Sequence, residues 1–462
     1  MKEMLDTRPL HPWHDRLENL PEGKGDFYHW GPNYTVDPVV IAGGETPSVL
    51  LILRKKDLQW ALPGGFVDPT DANVATAALR ELYEETSLQL NDTSPELVYE
   101  GPVEDPRSTR EAWPETTALL WRTDAKQPIH AGDDAVDAAW APLSQLPDDL
   151  YGSHADIIRR AIIDHGSLRE QLAYFEGQHE TIQATGGHMN YDRQIITLPI
   201  GKRVFVKHHD PAAFTDDVRE QHSRAYLRKE YDTYRQLAHQ TTHTPQVHEL
   251  INDHSLVIDA CDPRDGWLWR APRDNALREQ YISEVLSALR AIATINYVDT
   301  TDITASCTAL DEDGWENYAR DRSQILARLK QHGSSTAKRL AVELDTLHSE
   351  HCNRTVRERN MFAHADLRQS NLAWHPVHGV RIVDWSWAGA SAPGLDTTSF
   401  LIDLAKSNID ISKHMSHFDA IHARRLLGFW LARSIQPARP GTTTREHQLA
   451  SALTAFSLLS EN

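Results

Sequence analysis

The sequence predicts an α+β protein of two domains, and three observations predict it. At 462 residues the chain exceeds what one hydrophobic core ordinarily serves. Between about Tyr34 and Ala141, short apolar runs alternate with loops around a single strongly periodic helix. Beyond that block comes a strand pair and then a long, mostly helical stretch, the order expected of a two-lobed domain.

In the first block, Val49-Leu50-Leu51-Ile52-Leu53 and Ala118-Leu119-Leu120-Trp121 read as buried strands. Asn73 to Leu88 reads as a helix, with Val74, Ala77, Ala78 and Leu82 at helical spacing, and a second helix follows near Ala155 to Ile163. The first domain is expected over 1–168, with 169–187 as a linker beside Gly177, Gly186 and Gly187. The second is expected over 188–462, with an N-lobe to about 270 and a C-lobe from about 271. It opens on strands Gln194 to Leu198 and Arg203 to Lys207, which turn through Pro199-Ile200-Gly201-Lys202, and a helical stretch Tyr226 to Leu237 follows. From Leu277 the pattern is helical except for a hairpin, Asn371 to Trp374 and Val380 to Trp385.

Composition narrows the function classes. A hydrophobic share of 40% and a charged share of 24% are those of a globular protein. No run of eighteen apolar residues exists, and Met1-Lys2-Glu3-Met4-Leu5-Asp6 lacks a signal-peptide stretch, so a cytoplasmic protein without a membrane span is expected. Cys261, Cys307 and Cys352 are scattered, without zinc-site spacing. A net charge of -19 argues against binding a nucleic acid polymer, which needs clustered Lys and Arg. Nucleotides remain open as substrates, because Mg2+ bridges carboxylates to phosphates.

Two clusters carry chemistry. Glu81, Glu84 and Glu85 share one helical face, and three like charges call for a cation; hard oxygen ligands suit Mg2+ or Mn2+. Gly64-Gly65 precedes them as a tight turn that lets backbone approach a diphosphate, and Arg80 can pair with the carboxylates. The second cluster is His364-Ala365-Asp366, with Asn371 five residues beyond the aspartate and Asp384 at the end of the next hairpin. Phosphoryl transfer needs such a set: Asp366 to orient an acceptor hydroxyl, Asn371 and Asp384 to hold a metal ion. Lys207, ending a strand, suits the phosphates of ATP, and Glu230 suits an ion-pair partner for it.

The first cluster resembles the Nudix box, G-x5-E-x7-R-E-U-x-E-E-x-G-U, in which U is aliphatic. Asp71 stands for the first Glu, one extra residue precedes Arg80, and Ser87 replaces the last Gly. Gly31-Pro32-Asn33, Val103-Glu104-Asp105-Pro106-Arg107-Ser108-Thr109, Ala112-Trp113-Pro114-Glu115-Thr116 and Ala131-Gly132-Asp133-Asp134-Ala135 extend the similarity to ADP-ribose pyrophosphatases of the mammalian type, over roughly 25–165. The resemblance implies an α/β/α sandwich that cleaves ADP-ribose, or a related nucleoside diphosphate, to AMP and ribose 5-phosphate. It puts the metal on Glu81, Glu84 and Glu85, and the diphosphate beside Gly64 and Gly65. Asp105, Arg107 and Trp113 would lie along the substrate, and Asp133 and Asp134 near the catalytic water or a ribose hydroxyl.

The second cluster resembles the loop of the aminoglycoside phosphotransferase and choline kinase group, H-G-D-x-x-x-x-N followed by I-D-W or I-D-F, with Ala365 in place of Gly. Pro393-Gly394-Leu395-Asp396 resembles the following segment, whose Asp braces the catalytic loop. That resemblance implies a protein-kinase-like fold and ATP-dependent phosphorylation of a small-molecule hydroxyl, without naming the acceptor. The two together imply a bifunctional enzyme. The alternative is an ADP-ribose-sensing module that regulates the kinase.

Overall fold

The computed structural model describes residues 8–17, 19–90, 94–132, 135–184, 191–214, 216–298, 314–354, 358–437 and 442–460. The chain divides into two compact units, 1–180 with 197–202 and 181–196 with 203–462.

The first unit runs β1 (Gly31–Ala42), β2 (Ser48–Arg54), β3 (Trp60–Ala61), β4 (Gly65–Phe66), α1 (Val74–Thr86), β5 (Glu96–Pro102), β6 (Ala112–Thr123), β7 (Ala135–Pro142), α2 (His154–Arg160) and α3 (Leu168–Tyr174). Its seven-stranded sheet has the order β3-β2-β1-β6-β5, with β4 on β1 and β7 on β2. β1 and β6 pair in parallel over their whole length, from Gly31 opposite Ala112 to Ala42 opposite Thr123. Successive residues of a strand face opposite ways, and here both faces are covered. Val36 and Val40 of β1 pack under Ala77, Ala78 and Leu82 of α1. Val39 and Ile41 pack with Ile157 and Ile158 of α2. This is the expected α/β/α layering.

Helix α1 starts where Asn73 accepts the Thr76 N–H at 2.9 Å. It stops at Ser87, whose left-handed backbone (φ 57°) returns its N–H to the Tyr83 carbonyl. Val74, at helical spacing with Ala77, Ala78 and Leu82, is 42% exposed; it directly follows the cap, and the fully buried positions begin at Ala77 and Ala78. The stretch expected as a linker, 169–187, contains most of α3 and a strand. Ser167 and Glu170 form a reciprocal capping box that starts α3.

The second unit opens on a five-stranded sheet of order β11-β12-β10-β9-β8. Its strands are β8 (Glu180–Gln183), β9 (Tyr191–Thr197), β10 (Arg203–His209), β11 (Val247–Ile251) and β12 (Ser255–Asp259), and α4 (Asp217–Leu237) lies between β10 and β11 in the chain. Then come α5 (Asn275–Ala293), α6 (Tyr318–His332), α7 (Ser335–Cys352), β13 (Met361–Ala363), β14 (Leu372–His375), β15 (Gly379–Ile382), β16 (Gly389–Ser391), α8 (Leu395–Lys406), α9 (Ala420–Ser434) and α10 (Thr444–Ser460). The expected hairpin forms as β14 and β15, with Leu372 opposite Ile382. One apolar cluster runs from Tyr191 through Tyr234, Tyr281, Trp374 and Trp385 to Phe456, so sheet and helices share a core. Among the described residues no helix is long and apolar enough to cross a membrane. Cys261 is buried, which pushes its thiol up to about 12, whereas Cys352 is exposed.

Candidate active sites

In the first unit the glycine turn and α1 interlock. The Gly64 N–H donates to Glu85 Oε2 at 2.8 Å. Gly64 holds φ at 153°, and a Cβ there would lie 2.2 Å from the Val36 carbonyl oxygen. A Cβ on Gly65 would lie 2.6 Å from the Glu81 carboxylate. The turn therefore sits directly against the carboxylate face, and at Gly64, where the neighbour is backbone, only glycine fits. His154, absent from the expected site, anchors the turn: its Nδ1 accepts the Leu62 N–H at 2.8 Å. Burial holds the imidazole below its ordinary pKa, consistent with that neutral acceptor role.

Arg80 is the electrostatic centre. Its Nε and Nη2 form a fork on Asp71 at 3.1 and 2.9 Å, Nη1 reaches Glu81 at 2.7 Å and Glu84 at 3.1 Å, and Nη2 also donates to the Phe66 carbonyl. The extra residue before Arg80 is thus absorbed: Asp71 grips the guanidinium from the loop. The Asp71 fork holds Arg80 firmly protonated. Burial pushes the Glu81 carboxyl above its usual range, with Arg80 opposing. The three glutamates are of the donor type that suits Mg2+ or Mn2+. Among the described residues no three side chains already converge as a metal cluster, since Arg80 engages Glu81 and Glu84 while Gly64 engages Glu85.

Beside this face, Arg107 forms a fork on Asp105, Nε to Oδ1 at 2.9 Å and Nη2 to Oδ2 at 2.7 Å. Tyr151 adds its hydroxyl to Asp105 Oδ1 at 3.1 Å, and Arg54 stacks 3.6 Å from the Tyr151 ring. Burial works to raise the Asp105 carboxyl, but Arg107 outweighs it and the group titrates below the usual range. Phe27 and Phe66 flank the Arg107 guanidinium, each at 5.7 Å. Trp113, expected along the substrate, is instead only 4% exposed; it packs on His11, and its Nε1 donates to Glu115 at 3.0 Å. The loop ahead of β7 is tied to the end of α1, with the Gly132 N–H on the Glu85 carbonyl at 2.9 Å. Asp133 and Asp134, the next residues, lie outside the described set.

In the second unit five expected residues come together. Lys207 Nζ lies 2.6 Å from Glu230 Oε2 and 2.9 Å from Asp384 Oδ1. Burial works against the ammonium, but the two carboxylates outweigh it and raise the Lys207 pKa. Against a burial penalty, Lys207 likewise holds Asp384 well below the usual carboxylate range. Burial pushes Glu230 the other way, up to about 7. Asn371 Nδ2 donates to the Asp366 carbonyl at 2.9 Å, and the Val383 N–H donates to the Asn371 carbonyl at 3.0 Å, so both strands of the hairpin anchor the loop. His364 bridges the two halves, Nδ1 accepting the Asp366 N–H at 3.2 Å and Nε2 donating to the Val383 carbonyl at 2.9 Å.

Ala365 takes φ 63°, a left-handed conformation that explains why this position suits glycine. Buried Asp396 accepts the N–H groups of both His364 and Ala365, at 2.7 and 2.9 Å, and so braces the strained turn. Two members were not anticipated. Arg368 pairs with Asp366 at 3.1 Å. Gln369 fixes the loop to α8, its N–H and Nε2 on Asp403 at 3.0 and 3.1 Å. Arg368 stands two residues after Asp366, so the need for cations at a transferred phosphoryl group was the available signal.

With this geometry in place, comparisons with known proteins divide the chain in the same way. The NUDIX domain model matches residues 33–161 and the phosphotransferase enzyme family model matches 185–420. The ADP-ribose pyrophosphatase of Methanocaldococcus jannaschii is 32% identical over 133 residues, covering 28% of this chain and 72% of that protein. The mitochondrial ADP-ribose pyrophosphatase of Rattus norvegicus is 31% identical over 175 residues, covering 30% of this chain and 49% of that protein. The chain thus spans about half the length of the rat enzyme. Among solved structures, the choline kinase LicA from Streptococcus pneumoniae matches 63% of this chain and 98% of its own, at 12% identity and a TM-score of 0.39.

Proposed function

We propose, for a chain that belongs to the phosphotransferase enzyme family and carries a Nudix domain ahead of it, that both units are catalytic: an ADP-ribose hydrolase joined to a small-molecule kinase. The observation that carries the reading is that each unit gathers its own carboxylates around its own cation, Arg80 in one and Lys207 in the other.

In the hydrolase the water oxygen bonds to one phosphorus, the bridging P–O bond breaks, and AMP and ribose 5-phosphate leave. The glycine turn admits the diphosphate, and Asp105 and Arg107 present a rigid polar edge to the substrate. Mg2+ or Mn2+ on Glu81, Glu84 and Glu85 would stabilise charge on the diphosphate oxygens. In the kinase Asp366 accepts a hydrogen bond from the acceptor hydroxyl, Lys207 neutralises the phosphates of ATP, and Arg368 adds positive charge beside Asp366. Asn371 and Asp384 are the oxygen donors that would hold Mg2+ there.

A second reading has one observation in its favour: in the altered box Asp71 stands where the pattern has its first Glu, and that carboxylate is committed to Arg80. In that case the first unit senses ADP-ribose for the kinase. Incubation with ADP-ribose, Mg2+ and ATP, with products identified by mass spectrometry, separates the readings. Release of AMP without ATP supports the hydrolase. ADP-ribose binding with no AMP formed supports the sensor.

A further inference from the structure

The second unit contains a cavity of about 870 Å³ outside the Lys207 site, within the range of small-molecule pockets. It lies among the end of α4, the loop to β11, the end of β12, and β15; Lys207, Glu230, Asp366, Asn371 and Asp384 are not among its walls. Its charge is unusual for a chain of net charge -19. Of its two aspartates, Asp265 is taken by Arg203 and Asp259 by His248 Nε2 at 2.7 Å. Two guanidinium groups remain. Arg381 sits 5.6 Å from the Trp267 ring and donates to the carbonyls of His378 and Val380, while Arg235 sits 5.8 Å from the Tyr231 ring. Among the described residues neither forms an ion pair with a carboxylate.

The two arginines stand on the elements that build the Lys207 cluster. Arg235 follows Glu230 by five residues on α4, and Arg381 precedes Asp384 by three residues at the end of β15. The loop after α4 already touches this strand, through the Ile382 N–H on the His243 carbonyl at 2.7 Å. Planar guanidinium forks match the oxygens of a phosphate group.

We propose that this cavity is an effector site for a phosphomonoester, whose phosphate bridges Arg235 and Arg381 and thereby fixes α4 against the strand leading to Asp384. A ligand there sets the separation of Glu230 and Asp384, the two carboxylates that hold Lys207. Cleavage of ADP-ribose yields two phosphomonoesters, AMP and ribose 5-phosphate. This source, though not the site, rests on the hydrolase reading above.

The test is hydrogen–deuterium exchange on the full chain with AMP, ribose 5-phosphate or adenosine added directly, so that a failed hydrolase leaves it interpretable. Slower exchange in 235–248 and 376–382 with either phosphomonoester, and not with adenosine, is expected. Which of the two protects identifies the source. Arg235→Gln and Arg381→Gln should each raise the half-protecting concentration about tenfold or more. Should loss of the Trp267 contact unfold Arg381→Gln, Arg235→Gln at the exposed helix end carries the test. Absence of protection by both phosphomonoesters, equal protection by adenosine, or protection unchanged in the folded variants would overturn the proposal.

Discussion

In Glu85→Gln the side chain keeps an oxygen able to accept the Gly64 N–H, now at 2.8 Å, but loses its charge. In Glu85→Ala both are lost. If Glu85 serves only as a clamp on the glycine turn, the two variants diverge. Gln exchanges a charged hydrogen bond for a neutral one, a cost of about 1 kcal/mol, whereas Ala loses about 1.5–3 kcal/mol and orphans the Gly64 N–H. If Glu85 also carries charge toward the diphosphate, the two converge in activity. Each then loses about a hundredfold or more in kcat, about 2.7 kcal/mol of transition-state stabilisation. The assay pairs AMP release from ADP-ribose at saturating Mg2+ with thermal unfolding of the same preparations. The expected result is native > Gln > Ala in stability, with both variants nearly inactive. A Gln variant within about threefold of the native rate, beside an inactive Ala variant, refutes the metal-ligand role and leaves the clamp.

Three further outcomes follow from the same geometry. Because Arg107 holds Asp105 below the usual carboxylate range, the stabilisation is fully present above the unfolded value of about 4 and is lost as pH falls through the lowered folded value. Asp105→Asn should therefore cost about 3 kcal/mol near neutral pH, and the Tm gap to the native protein should narrow as pH falls below the unfolded value; a pH-independent gap contradicts the assignment. Asp366→Asn should abolish phosphoryl transfer with nucleotide affinity nearly unchanged, whereas Asp384→Asn, which removes the negative charge 2.9 Å from Lys207, should damage both, as titrated with an ATP analogue. Ser87→Gly relieves a left-handed backbone costing about 1–2 kcal/mol and returns about 0.4–1 kcal/mol in unfolded-chain entropy. The net gain should raise the melting of the first unit by about 2 °C, and calorimetry showing a fall contradicts it.

Local features were the legible ones. The carboxylate helix, the glycine turn and the Asp366-to-Asp384 hairpin lie within short spans, where spacing alone sets which side chains meet. The parallel pairing of β1 with β6 was not legible, because Gly31 and Ala112 are joined by no local signal. Trp113 was placed along the substrate by the loop resemblance alone, and its burial was not legible because only the fold brings His11 against it. The capping box of α3 was readable as Ser167 and Glu170, but the nearby glycines outweighed it. His154 gave no sign of its role, since its partner is a backbone N–H at Leu62, far away in sequence.

The two cations differ in what it costs to release them, and that difference fits the chemistry of each site. Arg80 has a side chain 29% exposed and Glu84 one 55% exposed, so their pairing is worth little against water. Glu84 would therefore be released to hold a divalent ion at small cost, while the Asp71 fork keeps Arg80 in place. Lys207 and Glu230 are 6% and 4% exposed, and separating them would leave an uncompensated buried charge at a cost of about 3–5 kcal/mol. Asp384, 32% exposed, is the one partner of Lys207 that can turn outward. On the proposed kinase reading, the buried pair would persist behind the donor phosphates, and Asp384 would be the member that exchanges between Lys207 and an incoming metal–nucleotide complex. Exchange at one carboxylate, against a buried pair behind it, would let the second site bind and release nucleotide without dismantling its own core.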